Sequence, residues 1–66
     1  MKFSEVKFEP GAQARRTKWK EGFYVKPFFL MGGKTTTHFY LIDPWGTDSI
    51  YSPSYEDRVA EDWEYA

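Results

Sequence analysis

The stretch YSPSYEDRVAEDW, residues 51–63, decides the fold of this chain because it contains the start and the end of its clearest helix. Ser54 lies three residues before Asp57, which is the spacing of a capping box with Asp in the usual place of Glu. Pro53, directly before Ser54, agrees with a helix start at this point. The pattern therefore predicts a short helix that begins near Ser54 and ends at about Glu61.

Strands are predicted on both sides of this helix. After it, Trp63 and Tyr65 alternate with acidic residues, which predicts a last short strand with both rings on one face. Before it, four segments have the composition of strands, and these are residues 13–19, 23–31, 35–42 and 49–51. Turn residues separate them at positions 21–22, 32–34 and 43–46. We expect an α+β fold in one domain, residues 1–66: a small antiparallel sheet of four to five strands, with the helix before the last strand.

Two segments leave alternatives open. Residues 23–31 have apolar side chains at both odd and even positions, which predicts a strand buried on both faces or covered by another subunit. Pro27 restricts that strand to a sheet edge or a bulge. At the N-terminus, Ser4 is an acceptable helix N-cap, but Pro10 and Gly11 stop a helix within two turns. A short N-terminal helix and a short strand are equally compatible with this segment.

The small size of the chain predicts self-association. A chain of 66 residues buries only about 60% of its unfolded surface, and its lack of cysteine excludes disulfides and thiolate metal sites. Oligomerisation is the commonest remaining source of stability, so we expect a homo-oligomer. No apolar run is long enough to span a bilayer and no signal peptide is recognisable, so we expect a cytoplasmic protein with no membrane partner.

Charge is distributed unevenly along the chain. Residues 1–34 contain eight Lys or Arg and three Glu, whereas residues 35–66 contain one Arg and seven acidic residues. These halves can pair within a protomer or across a symmetric interface. The formal net charge is only -1, which argues against a protein that coats DNA or RNA by charge alone.

No catalytic or metal site is indicated. The only imidazole, His38, lies in a Thr-rich predicted strand with no recognisable nucleophile beside it. Asp57 and Glu61 are four residues apart on the predicted helix and could hold a cation. Acidic residues near a helix start are explained equally well by the helix dipole, and no metal-ligand spacing accompanies them. We expect no catalytic residue, no metal and no cofactor.

The run RRTKWK, residues 15–20, is the clearest chemical signal before the helix. Arginine side chains can hold phosphate oxygens while an indole ring stacks on a base, so the run is compatible with nucleotide binding. The alternative is structural, because a basic strand beside an acidic helix can form salt bridges and Trp19 can belong to the core. These residues alone do not decide between the two.

The segments GAQARRTKW, residues 11–19, and YSPSYEDRVAEDWE, residues 51–64, resemble a phage family of small Thoeris anti-defence proteins. In that family a Gly, basic residues and a Trp precede a strand, and an Ala-Glu-Asp-Trp run closes the domain. The residues that match are Gly11, Arg16, Trp19, Pro53, Ser54, Asp57, Ala60, Glu61, Asp62 and Trp63. Residues 26–49 carry no motif that aligns, and Tyr51 stands where a Trp is common.

The resemblance implies a protein that binds an immune signal and holds it intact in the cytoplasm of the infected host. Members of the family bind the cyclic ADP-ribose isomer made by Thoeris defence, and some relatives hold cyclic oligonucleotides. They form homotetramers with pockets between subunits. By this resemblance Trp19 would stack on a base and Arg16 would contact phosphate, while Asp57 and Ser54 would contact a ribose or base edge. Tyr51 is a second stacking candidate.

Two other classes of function remain compatible with the residues. The first is a phage module that binds a protein through its aromatic surface, without a small ligand. The second is an enzyme that degrades the signal, which the lack of a persuasive catalytic group disfavours.

Overall fold

Five strands, one α-helix and a short 3-10 helix form the fold in the computed structural model, which describes residues 1–29 and 36–66. In chain order they are the 3-10 helix Phe3–Glu5, β1 Ala14–Arg16, β2 Tyr24–Phe29, β3 Thr36–Ile42, β4 Asp48–Tyr51, α1 Tyr55–Val59 and β5 Trp63–Tyr65. The expected α+β class is confirmed, with five strands and the helix before the last strand. The predicted turn at residues 32–34 lies outside the described residues.

The strands form one antiparallel sheet in the order β4-β3-β2-β1-β5. Strands β1 to β4 are neighbours in chain order, whereas β5 returns from the end of the chain to pair with β1. In that pairing Arg16 stands opposite Trp63. The returning strand therefore brings the basic first strand beside the acidic end of the chain.

Strand β1 ends earlier than predicted. The residue pattern extended it to Trp19, but the backbone turns after Arg16, and the Trp19 N–H donates to the Arg16 carbonyl at 3.1 Å. This boundary was wrong because residues 17–19 contain no Gly, Pro, Asn or Asp that would mark the turn. As a result, Trp19 lies in a turn next to the sheet and not in a strand.

Pro27 lies in β2, which is an inner strand by its position in the sheet order. Within the described residues, β1 pairs with β2 only through Ala14 and Val25, so the part of β2 that contains Pro27 pairs only with β3. The register also shifts between Phe28 and Phe29. Pro27 is accommodated because its half of the strand is locally an edge, as the proline predicted.

The two faces of the sheet differ in how they are covered. One face carries the core, whose buried residues are Val6, Ala14, Val25 and Trp63. The N-terminal segment covers this face, since the Phe3 ring packs against Phe39 and Trp63 with centroids 5.4 and 5.0 Å apart. Of the two alternatives for the N-terminal segment, the short helix forms, as a 3-10 helix, but it begins at Phe3 with Lys2 as its N-cap, so Ser4 lies inside it and does not cap it.

The opposite face, here called the outer face, is formed by alternate residues of β2, β3 and β4. Its aromatic and apolar members are Tyr24, Phe28, His38, Tyr40, Ile42 and Ile50, and the charged residues Lys26 and Asp48 lie on the same face. Three of its rings contact one another, with Phe28 and His38 stacked at 4.7 Å and Tyr40 packed edge-on against both. Ile50 is 65% exposed. Strand β2 is therefore not buried on both faces within one protomer.

Helix α1 begins where the capping pattern predicts. The Ser54 hydroxyl accepts a hydrogen bond from the Asp57 N–H at 3.1 Å, and the chain becomes extended at Ala60. No residue of this five-residue helix is buried, and Tyr55 and Val59 are both exposed. Contacts outside its own sequence must hold it, because a helix this short is unstable alone. Within the described residues, no helix is long and apolar enough to cross a membrane.

The turn between β3 and β4 also forms as predicted. The Gly46 N–H donates to the Asp43 carbonyl at 3.0 Å, and the Asp43 carboxylate accepts from the N–H groups of Trp45 and Thr47. This turn packs against the turn between β1 and β2, where Gly22 has a φ of +99°. A Cβ atom on Gly22 would lie 2.9 Å from Cγ of Pro44. The two turns meet only because residue 22 has no side chain.

We predict that Gly22→Ala destabilises the protein by about 1 kcal/mol more than Gly11→Ala does. Both glycines have positive φ values, +99° and +89°, so both substitutions introduce backbone strain. Only Gly22 faces a neighbour, because a Cβ on Gly11 would meet nothing within 4 Å. Urea denaturation followed by circular dichroism measures both variants. Equal losses would show that the contact with Pro44 is easily relieved.

Candidate functional site

Arg16, at the end of β1, is the most buried charged residue described, with 7% of its surface exposed. Its Nε donates to Oδ1 of Asp62 at 2.8 Å, and its Nη1 donates to Oδ1 of Asp57 at 3.0 Å. Asp57 lies on α1, and Asp62 directly precedes β5. These three side chains, here called the Arg16 clamp, tie the first strand to the helix and to the returning last strand.

Asp57 is the centre of a wider set of hydrogen bonds. Its Oδ2 accepts from the Tyr51 hydroxyl at 2.7 Å, and its backbone carbonyl accepts from the indole Nε1 of Trp63 at 2.8 Å. Its N–H is capped by Ser54, as described above. The Asp57 side chain is only 17% exposed. Helix α1 is thus attached to the sheet through Asp57, which bonds to Arg16 of β1, Tyr51 of β4 and Trp63 of β5.

The pKa shifts in the clamp follow from these contacts. Burial alone would raise the pKa of Asp57, but hydrogen bonds from Tyr51 and Arg16 outweigh it and hold the pKa below its ordinary value of 3.8. The hydrogen bond from Arg16 lowers the pKa of Asp62 as well, while the bond to Asp62 raises the pKa of Arg16. Burial and the bond to Asp57 raise the pKa of Tyr51. At neutral pH the clamp is therefore one cation between two carboxylates, with Tyr51 protonated.

Two further basic residues of the RRTKWK run are also held within the protomer. The Lys18 ammonium lies 2.7 Å from a carboxylate oxygen of Glu56 on α1, and both side chains are mostly exposed. The Arg15 guanidinium donates to the Trp19 carbonyl and so fixes the turn after β1. The basic strand and the acidic helix therefore pair within one protomer. The charge pattern had left open whether they pair in this way or across a symmetric interface.

Trp19 lies beside the clamp and forms one wall of a cleft. Its ring packs edge-on against Trp63 at 5.3 Å and against Tyr51 at 6.1 Å. The cleft, here called the aromatic cleft, has a volume of about 380 Å³ and is lined by Trp19, Lys20, Phe23, Leu41, Tyr51 and Asp57. Three aromatic rings, one ammonium and one carboxylate therefore line one cavity.

Tyr51 also borders a larger groove on its other side. This groove has a volume of about 580 Å³, and its lining is mostly apolar, with Phe3, Phe39, Ile50 and Pro53 contributing. Arg58 of α1 provides its cation. The aromatic cleft is nevertheless the cavity that contains the residues expected from the sequence.

The structure brings the five expected ligand-binding residues into one neighbourhood, but not into equivalent roles. Trp19, Tyr51 and Asp57 line the aromatic cleft. Arg16 and Ser54 are bonded to Asp57 and are not among the residues that line the cleft. The residue pattern had not singled out Phe23 and Leu41 as site residues. Lys20 also lines the cleft, and its position in the RRTKWK run was the one sequence signal that could have identified it as a site residue.

Other chemistry is sparse in the described part of the chain. His38 stacks on Phe28 on the outer face and does not line the aromatic cleft. Residues 1–29 and 36–66 contain no group of three His, Asp or Glu side chains placed to hold a metal ion.

Several residues on which the resemblance to a phage family rested belong to this site: Arg16, Asp57 and Asp62 form the clamp, and Trp19 lines the cleft with its ring packed against Trp63. Fold and site together define a small α+β domain in which ion pairs hold the last helix beside an aromatic cavity. The family model for the Tad2-like, or Thoeris anti-defense 2-like, domain matches residues 1–66, the whole chain. The chain therefore belongs to the Thoeris anti-defense 2-like family, which supports a phage anti-defence role. Comparisons with curated proteins and with solved structures found no significant match.

We predict that Arg16→Met destabilises the fold by about 3 kcal/mol, because it leaves two carboxylates without their cation. The total stability of a domain of this size is only about 3 to 10 kcal/mol, so the variant would lose a large part of it and unfold at a clearly lower urea concentration. Lys18→Gln is the matched control, since it also removes one positive charge but breaks only an exposed pair. Urea denaturation at fixed protein concentration compares the two variants.

The control is expected to unfold at nearly the same urea concentration as the wild type. If Arg16→Met did the same, the clamp would not be what holds α1 to the sheet.

Proposed function

We propose that this protein binds a cyclic nucleotide immune signal and sequesters it without degrading it. The signal would be a cyclic ADP-ribose isomer of the Thoeris type or a cyclic oligonucleotide. Membership of the Thoeris anti-defense 2-like family supports the anti-defence role. The chemistry of the aromatic cleft is the observation that carries the choice of ligand.

A nucleotide presents an aromatic base, hydroxyl donors and an anionic phosphate. The cleft offers the rings of Trp19 and Tyr51 for the base, and each ring–base stack contributes about 1 to 3 kcal/mol in single-strand binders. Asp57 is an ionised acceptor for a ribose hydroxyl or a base N–H, and Ser54 supports it through the cap of α1. In this proposal Trp19 has the main stacking role and Tyr51 the second one.

Binding without turnover agrees with the state of the groups in the cleft. A general acid or base works best with a pKa near the working pH. The shifts found here go the other way, since the pKa of Asp57 is lowered and that of Tyr51 is raised. The two groups are also hydrogen-bonded to each other. They are placed to hold a ligand in a fixed geometry.

We predict that the protein removes the Thoeris signal from solution and that heating returns it intact. Protein is mixed with extract that contains the signal, depletion of the free signal is confirmed, and the protein is then denatured by heat. The supernatant is assayed for signal by mass spectrometry. Protein denatured before mixing is the control and is expected to deplete nothing.

Each result separates one class of function from the others. Recovery of intact signal after heating supports sequestration. Permanent loss of the signal would show an enzyme. A signal that is never removed would leave two alternatives, a different nucleotide as ligand or a phage module that binds another protein, for which Ile50 is an exposed apolar residue of the outer face.

Self-association is the second part of the proposal. A site for a drug-sized ligand typically buries 70 to 90% or more of the ligand surface. The cleft volume of about 380 Å³ is near the lower end of the usual range of about 300 to 1,000 Å³ for such sites. A second copy that covers the cleft would supply the missing surface. The outer face, with Ile50 65% exposed, offers apolar area for the same assembly, for which we propose a homotetramer.

We predict that Ile50→Asp reduces the oligomer to a smaller species, because it introduces a charge into the apolar outer face. Val59→Asp is the control, since Val59 is similarly exposed at 50% but lies on α1. Light scattering coupled to size-exclusion chromatography gives the mass of each variant. A monomeric wild type, or a loss of assembly with the Val59 variant alone, would contradict assembly through the outer face.

A further inference from the structure

Lys20 differs from the other basic residues of the RRTKWK run. Arg15, Arg16 and Lys18 each bond to a partner within the protomer, as described above. Lys20 lines the aromatic cleft, and its ammonium has no ion pair with any residue in the described ranges 1–29 and 36–66. Its side chain is exposed. An unpaired cation thus stands beside three aromatic rings and a carboxylate.

We propose that Lys20 is the residue that contacts the phosphate of the bound nucleotide, a role that the sequence assigned to Arg16. This inference rests on the proposed function and names the anion-binding group of the same cleft. It also defines the ligand class, because the ligand must carry an anionic group within reach of Lys20 while its base stacks against Trp19.

Arg16 is poorly placed for that role. Its Nε and Nη1 are bonded to Asp62 and Asp57, and the residue is only 7% exposed. A phosphate that recruited these atoms would have to break an ion pair and leave a carboxylate without its partner. Lys20 has no such bond to break in the part of the chain that the structure describes, and its flexible four-carbon stem lets the ammonium follow a phosphate along the rim of the cleft.

The backbone around Lys20 is fixed even though its side chain is exposed. The preceding turn is held by the hydrogen bond from Arg15 to the Trp19 carbonyl, and the Lys20 carbonyl accepts from the Phe23 N–H at 3.3 Å. The backbone positions from which the Lys20 and Trp19 side chains extend are therefore fixed relative to each other. A nucleotide can contact both at once, whereas a neutral nucleoside gains nothing from Lys20.

The test is a calorimetric titration of the wild type and three variants with two probes, the cyclic ADP-ribose isomer made by Thoeris defence and a cyclic dinucleotide. Lys20→Gln should bind about tenfold more weakly, the change that corresponds to the loss of one charge-assisted hydrogen bond at an exposed site. Lys20→Arg keeps the charge and should bind within about threefold of the wild type. Lys18→Gln is the matched control and should bind as the wild type does.

Salt provides a second readout. The wild-type affinity should fall as sodium chloride increases, and the affinity of Lys20→Gln should fall less, because salt screens the contact that this variant lacks. Thermal unfolding of Lys20→Gln should match that of the wild type, since the ammonium has no partner within the described residues.

The outcomes separate the two proposals. If the wild type binds either probe and Lys20→Gln binds it equally well, the assignment of Lys20 is overturned and the proposed function stands. Equal losses in Lys18→Gln and Lys20→Gln would also overturn it, because they would reflect overall charge. If the wild type binds neither probe, the proposed function fails, and the role of Lys20 fails with it.

Discussion

Arg16 contacts the carboxylates of Asp57 and Asp62, which follow it by 41 and 46 residues in the chain. The other contacts between the first strand and the end of the chain depend on the position of Arg16 between these two carboxylates. Helix α1 has only five residues, none of them buried, so neither its length nor its packing would keep it folded. The Arg16 clamp supplies attachment through Asp57, while Asp62 positions the chain for its return as β5. A single buried guanidinium therefore contacts both the last helix and the segment that leads into the last strand, beside the backbone pairing of β5 with β1.

This dependence follows from the thin core. Within residues 1–29 and 36–66, Val25 is the largest side chain that is fully buried, although Trp63 is only 2% exposed, and the chain has no disulfide to compensate. Aromatic packing supplies part of the stability that the thin core lacks, because Phe3, Phe8 and Phe39 contact one another at centroid distances of 4.8 to 5.4 Å. Trp63 joins the two systems, since its ring packs on Phe3 and its indole N–H bonds to the Asp57 carbonyl. Polar and apolar contacts thus stabilise the same helix and strand.

Local sequence patterns predicted the helix, strands and turns of this fold better than they predicted the contacts between these elements. The Ser54 cap, the turn at residues 43–46 and the described strands follow from neighbouring residues, so they could be predicted. The pairing of β1 with β5 could not, because it joins residues more than 40 positions apart. The early end of β1 could not either, because the turn after Arg16 is held by hydrogen bonds and is not marked by a typical turn residue. The uneven charge distribution indicated that the two halves could pair, but it could not show that Lys18 and Glu56 would meet within one protomer. Trp19 and Asp57 were noticed from the RRTKWK run and the helix start, but the choice of a ligand-binding role for them over a structural one came from the resemblance.

Asp57 belongs to the clamp and also lines the aromatic cleft, so the proposed recognition of a ligand is not independent of stability at this position. A substitution that altered the hydrogen bonding of Asp57 to a ligand would also remove a partner of Arg16 and of Tyr51. Lys20 and Phe23 line the same cleft, and no side-chain bond described here joins them to the clamp. Changes in ligand preference are therefore compatible with this fold at the rim of the cleft, while its inner wall is constrained by the clamp that holds the domain together.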